Sequence, residues 1–289
     1  MSYPQGGYPA YGPDPWQQTS WDARAAGNFV CGGAGSGLVV VATLADGADA
    51  ALPALTLAGL ALVALGLFSV SLELGRPLRA FNVIRNPRTS WMAREAWTAA
   101  LLFPAGLAAA WSVPAMNGVA AALAIAFVYC QARLLQAAKG IPAWRERRLV
   151  ALVVTTGLAV GAGLFFATAP WHGAATLELL NLLGVLLLAR VLVWLWYRRR
   201  LSDIAAYGAL AALDRAGRML QIVGTVLPLL VIAAIGLGAF EGEASEWAAA
   251  AAGVFATAAG AYLKYTLITG AGFNQGFALA HLPVRGARR

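Results

Sequence analysis

The chain has 289 residues, of which 60% are hydrophobic and 12% charged, with a formal net charge of +8 and two cysteines. A soluble domain is nearer half apolar and a quarter charged, so this composition and a positive mean hydropathy exclude an ordinary globule and indicate a polytopic membrane protein. Cys31 and Cys130 fall in separate apolar runs, which excludes a disulfide framework or a Cys-ligated metal and leaves them as packing residues.

Residues 1–25 are rich in Pro, Gly and aromatics, with neither a basic n-region nor a short apolar core, and so do not read as a signal peptide. They read as an extended arm whose Tyr3, Tyr8, Tyr11, Trp16 and Trp21 suit a membrane interface or a partner subunit; a disordered tail is the alternative.

A spanning helix needs roughly 20 mostly apolar residues. Eight segments qualify: 27–45, 52–72, 96–111, 116–135, 149–167, 176–196, 220–240 and 247–269, the third short and beginning near Arg94. The expected fold is an all-α integral membrane protein with eight transmembrane helices. It divides into two four-helix bundles, 26–139 (with a docking loop over 73–95) and 140–270, followed by a tail over 271–289. An even count puts both termini on one side.

On that side fall all the Lys and Arg residues except Arg190 and Lys264, which lie inside segments. The opposite loops carry Asp46, Asp49, Glu241, Glu243 and Glu246 and no Lys or Arg. By the positive-inside rule the termini and the basic loops are cytoplasmic, and the positive charge is the flank of membrane helices, not a nucleic-acid surface.

The glycines of GGAGSG, residues 32–37, imitate a phosphate loop, but they lie within a spanning segment with no preceding strand and no following Lys-Ser/Thr. Gly33 with Gly37, and Gly157 with Gly161, have the small-xxx-small spacing of close helix packing.

Electron transfer through an internal haem requires axial ligands, usually a pair of facing histidines. His172 and His281 are the only histidines and fall on opposite sides, so neither haem nor a histidine-bound metal is expected, and a redox role needs an external cofactor or a diffusible carrier. The remaining polar groups gather near the cytoplasmic boundary. Glu73 closes the second segment, Glu95 opens the third, and Gln131 and Arg133 end the fourth. Arg190 lies eight residues before Arg198, roughly 12 Å deeper at 1.5 Å per residue, and Lys264, flanked by Tyr262 and Tyr265, has a similar depth. Two readings stay open: a small binding site at that level, or Arg190 and Lys264 snorkelling or pairing with the glutamates to hold the bundle. Glu178 and Asn181, near the other face, suit a proton inlet or a packing hydrogen bond.

The stretch LGRPLRAFNVIRNPRTSWMAREAW, within the charged interruption 71–97, resembles the loop between the second and third helices of dimethyl-sulfoxide-reductase membrane anchors. These form the DmsC type within the NrfD-like polysulfide-reductase anchors. AAKGIPAWRER (137–147) and ITGAGFNQGFALAHLPVRG (268–286) also resemble that family. The resemblance implies the quinone-reactive anchor of a three-part molybdenum oxidoreductase in the bacterial inner membrane. Its partners would be a four-cluster iron-sulfur subunit and a molybdopterin catalytic subunit, so that chemistry on the organic substrate occurs outside this chain. The family's quinol-linked glutamate matches Glu95, and a histidine preceding Leu-Gly in the dimethyl sulfoxide enzyme's anchor falls on Glu73 here.

Quinone chemistry couples electrons to protons and needs hydrogen-bond partners for the carbonyls plus a titratable group reaching water. Glu95 and Glu73 are the proton-exchanging candidates, and Asn28, Arg190, Lys264 and Tyr262 the candidates for holding menaquinone or ubiquinone. Arg79, Arg85, Arg88 and Arg94 suit docking of the iron-sulfur subunit or binding of lipid phosphate. A cytoplasmic docking loop implies a cytoplasmic substrate, which resembles the anchors of phenylacetyl-CoA:acceptor oxidoreductases. The competing class is a secondary transporter, which would place its ionisable groups near the midplane. A retinal-type photoreceptor is suggested only by Lys264, and no convincing buried counter-ion accompanies it.

Overall fold

The computed structural model describes residues 14–45, 51–72, 82, 84–111, 113–172 and 176–276. Among them the regular structure is helical: α1 (Ala23–Leu44), α2 (Ala51–Ser71), α3 (Trp91–Ala110), α4 (Ala115–Gln136), the short α5 (Pro142–Arg145), α6 (Arg148–Ala167), α7 (Leu177–Leu201), α8 (Tyr207–Gln221), α9 (Leu227–Gly236) and α10 (Glu243–Thr269). Glu73 and Arg79, the tyrosines of the arm and His281 lie outside the described residues.

Six helical stretches are long and apolar enough to cross a membrane: Ala23–Leu44, Leu52–Ser71, Ala115–Gln136, Arg148–Ala167, Leu177–Leu201 and Tyr207–Gly236. α3 and α10, of 20 and 27 residues, have comparable length but interrupt their apolar sequence with charge: Arg94 and Glu95 in one, Glu243, Glu246 and Lys264 in the other.

The largest departure from the expected boundaries is the seventh segment. Instead of covering 220–240 it begins at Tyr207 and ends at Gly236, a π turn over Ile222–Val226 joining α8 to α9. Mean hydropathy hides α8 because it is amphipathic. Ala209, Ala212, Leu213, Ala216, Gly217 and Leu220 are buried at helical spacing, while Arg215 and Arg218 are exposed. Asp214 receives a bidentate hydrogen bond from Arg198 at 2.6 and 2.9 Å, tying α8 to the end of α7.

Helix starts follow local chemistry. Asp22, Ser90 and Thr176 cap α1, α3 and α7, their side chains accepting from the N–H of Arg24, Ala93 and Leu179, each such cap worth about 1 kcal/mol. α1 is the most enclosed helix, packing against α2, α4, α6 and α10. Its glycines permit this approach. A Cβ on Gly35 would stand 2.3 Å from the Gly59 carbonyl oxygen, and one on Gly161 of α6 would stand 2.1 Å from the Gly37 carbonyl carbon. The run 32–37 is therefore a helix-crossing surface, with no room for phosphate.

Cross-links between helix ends collect at one end of the bundle. Arg24 at the start of α1 donates to Leu72 O beyond α2 at 3.2 Å, Trp144 of α5 donates to Leu267 O of α10 at 2.8 Å, and Arg148 at the start of α6 donates to Trp196 O of α7 at 3.1 Å. The N-terminal arm folds back onto the same end. Gln17 pairs with Phe273, Gln18 N–H donates to Gly272 O at 2.8 Å, and Asn274 N–H donates to Trp16 O at 3.0 Å. Trp21 packs on Phe29 and Trp144 at ring separations of 5.9 and 5.0 Å. Half-buried, Trp21 covers this chain's own Trp144. Trp16 stays exposed.

Beneath this lid lies a cluster including Trp144, Trp194, Tyr197, Leu213 and Leu267, and the far end of the bundle has its own around Phe165, Phe166 and Leu183. Large apolar side chains such as Leu65, Phe68, Val185, Leu192 and Leu230 face outward, as expected of helices whose solvent is hydrocarbon.

Candidate functional site

About a turn inside the lid end, four helices contribute polar side chains to one buried network. Asn28 occupies the second turn of α1, Glu95 the second turn of α3, Gln131 the penultimate turn of α4 and Lys264 the penultimate turn of α10. All four are at most 4% exposed. Asn28 Nδ2 donates to Glu95 Oε1 at 3.3 Å. Gln131 Nε2 donates to Asn28 O at 3.0 Å and lies 3.4 Å from Asn28 Oδ1. Lys264 Nζ donates to the next carbonyl, Phe29 O, at 3.0 Å. The first turns of α1 thus form the hub: its side chain at 28 meets a carboxyl, and its carbonyls at 28 and 29 receive an amide and an ammonium.

Small residues create the space. A Cβ on Gly32 would stand 2.4 Å from Gln131 Nε2, and one on Gly33 would stand 1.9 Å from Lys264 Nζ, with Gly157 bordering the same ammonium. Gly66 of α2 closes the other side, where a Cβ would lie 3.1 Å from Asn28 O. The network holds one carboxyl and one ammonium, with no ion pair joining them among the described residues, and Gln131 Oε1 is buried with no hydrogen-bond partner there. A buried acceptor left without a donor is costly and suits a ligand hydroxyl or a protonated carboxyl.

The other sequence candidates separate from this network. Arg190 is fully buried, but its guanidinium donates to Ala256 O of α10 at 3.1 Å and to Gly224 O in the π turn. Gly224 and Gly260 leave room for it. It thereby binds carbonyls where the π turn disturbs the regular ladder and fastens α7, the α8–α9 rod and α10 together. Its similarity of depth to Lys264 does not bring the two onto a common partner. Tyr262 is 40% exposed on the outer face of α10, with no hydrogen bond among the described residues.

In the docking stretch, Arg85 and Arg88 are exposed. Arg94 is turned back on its own chain, donating to Pro87 O and Arg88 O, each at 2.7 Å, with its guanidinium 4.1 Å above the Trp91 ring. Trp97 donates to Ile84 O at 3.0 Å, so the segment before α3 is pinned at two points. His172 is buried on Phe165, its Nε2 3.0 Å from the Phe165 carbonyl, at the far end of α6 from the network. Among the described residues no group of three or more His, Cys, Asp and Glu side chains is arranged to hold a metal ion.

The residue underweighted by sequence reasoning is Gln131, read there only as a polar end to the fourth segment. An uncharged amide two residues before an arginine gives little warning that it faces inward, whereas its spacing from the buried Phe127 and Val128 places it on the same helix face.

Residues 25–260 match the family model described as DMSO reductase anchor subunit (DmsC). No curated protein matches the chain.

Proposed function

Because the chain belongs to the DMSO reductase anchor subunit (DmsC) family, and is thus the membrane anchor subunit of a molybdenum oxidoreductase, we propose that the network of Asn28, Glu95, Gln131 and Lys264 is where it exchanges electrons with the membrane quinone pool. The observation that carries this reading is the hydrogen bond from Asn28 to a buried Glu95 beside a Gln131 oxygen that has no partner among the described residues. Charged groups buried in a membrane bundle are expensive and commonly functional.

In the proposed role Glu95 holds and releases the proton that accompanies each electron, and Asn28 orients its carboxyl. Gln131 offers an acceptor and Lys264 a donor to the oxygens of a bound quinone or quinol. Quinone is the diffusible carrier; iron-sulfur clusters and molybdopterin belong to the partner subunits. Arg85 and Arg88, exposed in the segment that precedes α3, are the docking contacts proposed for the iron-sulfur subunit. Arg94 contributes by fixing the loop that presents them.

The proposed arrangement has eight spans, with α3 and α10 completing the six strongly apolar ones, and two groups of four helices joined through α1. The lid end would be cytoplasmic, supported by its arginines and by Glu241, Glu243 and Glu246 at the other end. A cytoplasmic docking face suits a cytoplasmic substrate such as phenylacetyl-CoA. A twin-arginine leader on the catalytic partner would overturn that choice alone.

The test uses the assembled complex. Glu95→Gln is expected to abolish quinol-linked turnover while leaving turnover with an artificial dye donor, which bypasses the anchor, unchanged. Retention of quinol-linked turnover would sink the assignment.

A further inference from the structure

A cleft of about 690 Å³ is walled by Trp91, Arg133, Gln136, Lys139, Arg145 and Arg147. Four of these are cations and none is an acid. Among the described residues none of the four cations has an ion pair, although Arg145 donates to the neutral Gln275 Oε1 at 3.0 Å, and Arg133 Nε is buried without a hydrogen-bond partner. Glu146, which lines the adjoining crevice, is matched by two other arginines, 3.8 Å from Arg148 and 4.0 Å from Arg200. The Arg133 guanidinium does not wander: it lies 4.6 Å from the Trp91 ring centroid and 6.0 Å from that of Tyr129. Aromatic faces hold it beside the cleft while its donors stay available.

A second crevice, about 610 Å³, continues from the first, sharing Arg147 and Val150 with it. Its character is different. Tyr129, Ala151, Val154 and Trp196 supply an apolar wall along the start of the spanning helix α6, and Glu146 and Arg148, 3.8 Å apart, line the crevice beside Arg147. A cationic chamber opening into an apolar channel at a helix end matches an amphiphile with an anionic head. A neutral quinone leaves four cations unmatched, and an acidic peptide leaves the apolar channel unfilled.

We propose that this composite cleft binds one anionic phospholipid, its phosphodiester among Arg133, Lys139, Arg145 and Arg147 and an acyl chain along Val150, Val154 and Trp196. Guanidinium groups suit the headgroup because they meet phosphate oxygens through paired N–H donors. The lipid would brace the ends of α3 and α4 that carry Glu95 and Gln131, but its binding does not depend on the quinone assignment.

The test is native mass spectrometry of the detergent-purified complex, combined with competition in nanodiscs between phosphatidylglycerol and phosphatidylcholine. The wild type is expected to retain phosphatidylglycerol in preference to phosphatidylcholine. Arg133→Gln with Arg147→Gln should lower that preference by about tenfold or more. Lys139→Glu, at an exposed position, should lower it in the same direction. Arg215→Gln, at an exposed basic position of α8 outside the cleft, should leave it unchanged. Equal retention of the two lipids, displacement by inorganic phosphate or glycerol phosphate, or a complex whose cleft holds a partner peptide and no lipid would each overturn the proposal.

Discussion

Asn28 Nδ2 and Glu95 Oε1, on helices 67 residues apart in sequence, are 3.3 Å apart in the buried interior. The contact is between an amide donor and a carboxyl acceptor, so each side chain determines what the other can do. Replacing Asn28 by Ala leaves the carboxyl without this donor, and hydrogen bonds to charged groups contribute about 1.5–3 kcal/mol. We expect Asn28→Ala to cut quinol-linked turnover by at least tenfold and Asn28→Asp to cut it further by placing two carboxyls together. In a double-mutant cycle with Glu95→Gln, the two losses should be strongly non-additive. Additive losses, measured as quinol-linked rates in the assembled complex, would show that the pair does not act as a unit.

Gly33 and Gly161 should respond differently to an added methyl group. At Gly33 the obstruction is the end of a flexible side chain, Lys264 Nζ, whereas at Gly161 it is the backbone of Gly37. Gly33→Ala therefore displaces the ammonium from Phe29 O and should cost about 1–3 kcal/mol. Gly161→Ala forces α1 and α6 apart and should cost more, since overpacking that moves backbone lies at the upper end of its usual range of about 1–3 kcal/mol or beyond it. Lys264→Ala should relieve the first defect and not the second. Thermal unfolding in detergent of Gly33→Ala and Gly161→Ala, each with and without Lys264→Ala, measures the difference.

Arg190 predicts a stability defect without a catalytic one. Arg190→Met removes the donors to Ala256 O and Gly224 O and leaves those carbonyls buried, a loss of about 1–3 kcal/mol for each unsatisfied group. The melting temperature should fall while the KM for quinol in the folded fraction stays at the wild-type value. A raised KM with an unchanged melting temperature would return Arg190 to the binding site.

The arm predicts coupled protection of two distant segments. Trp21→Ala removes two aromatic contacts, each worth about 0.5–1.5 kcal/mol beyond area burial, and uncovers Trp144. Limited proteolysis should then cut residues 14–20 and the segment after Thr269 at similarly increased rates. An increase confined to the arm would show that the pairing of Gln17 with Phe273 does not hold the C-terminal segment.

What was legible in the sequence was depth, and what was not was direction. Apolar run length located most helices because hydrocarbon must cover about 20 residues, and the rise of 1.5 Å per residue put Arg190 and Lys264 at one level. Rotation about the helix axis then separated them, Arg190 turning to the π turn and Lys264 to α1. The glutamate at 95 stood out because a charge in an apolar run is expensive, whereas Gln131 carried no charge to draw notice. α8 was read as loop because its apolar face is diluted by the arginines on its other face. The Trp21 contact with Trp144 is invisible in the sequence because nothing local indicates that a residue more than a hundred positions away is its neighbour.

The position of the proposed exchange site has a consequence for energy conservation. Glu95 is the fifth residue of α3, so its carboxyl is only about 6–8 Å along the helix from the end at which the arginines gather. A proton needs to cross one or two helical turns to reach water on that side and most of the bilayer to reach the other. Turnover at the proposed site would therefore take up and return protons on the face proposed for the partner subunits, passing reducing equivalents to or from the pool while leaving the membrane voltage untouched.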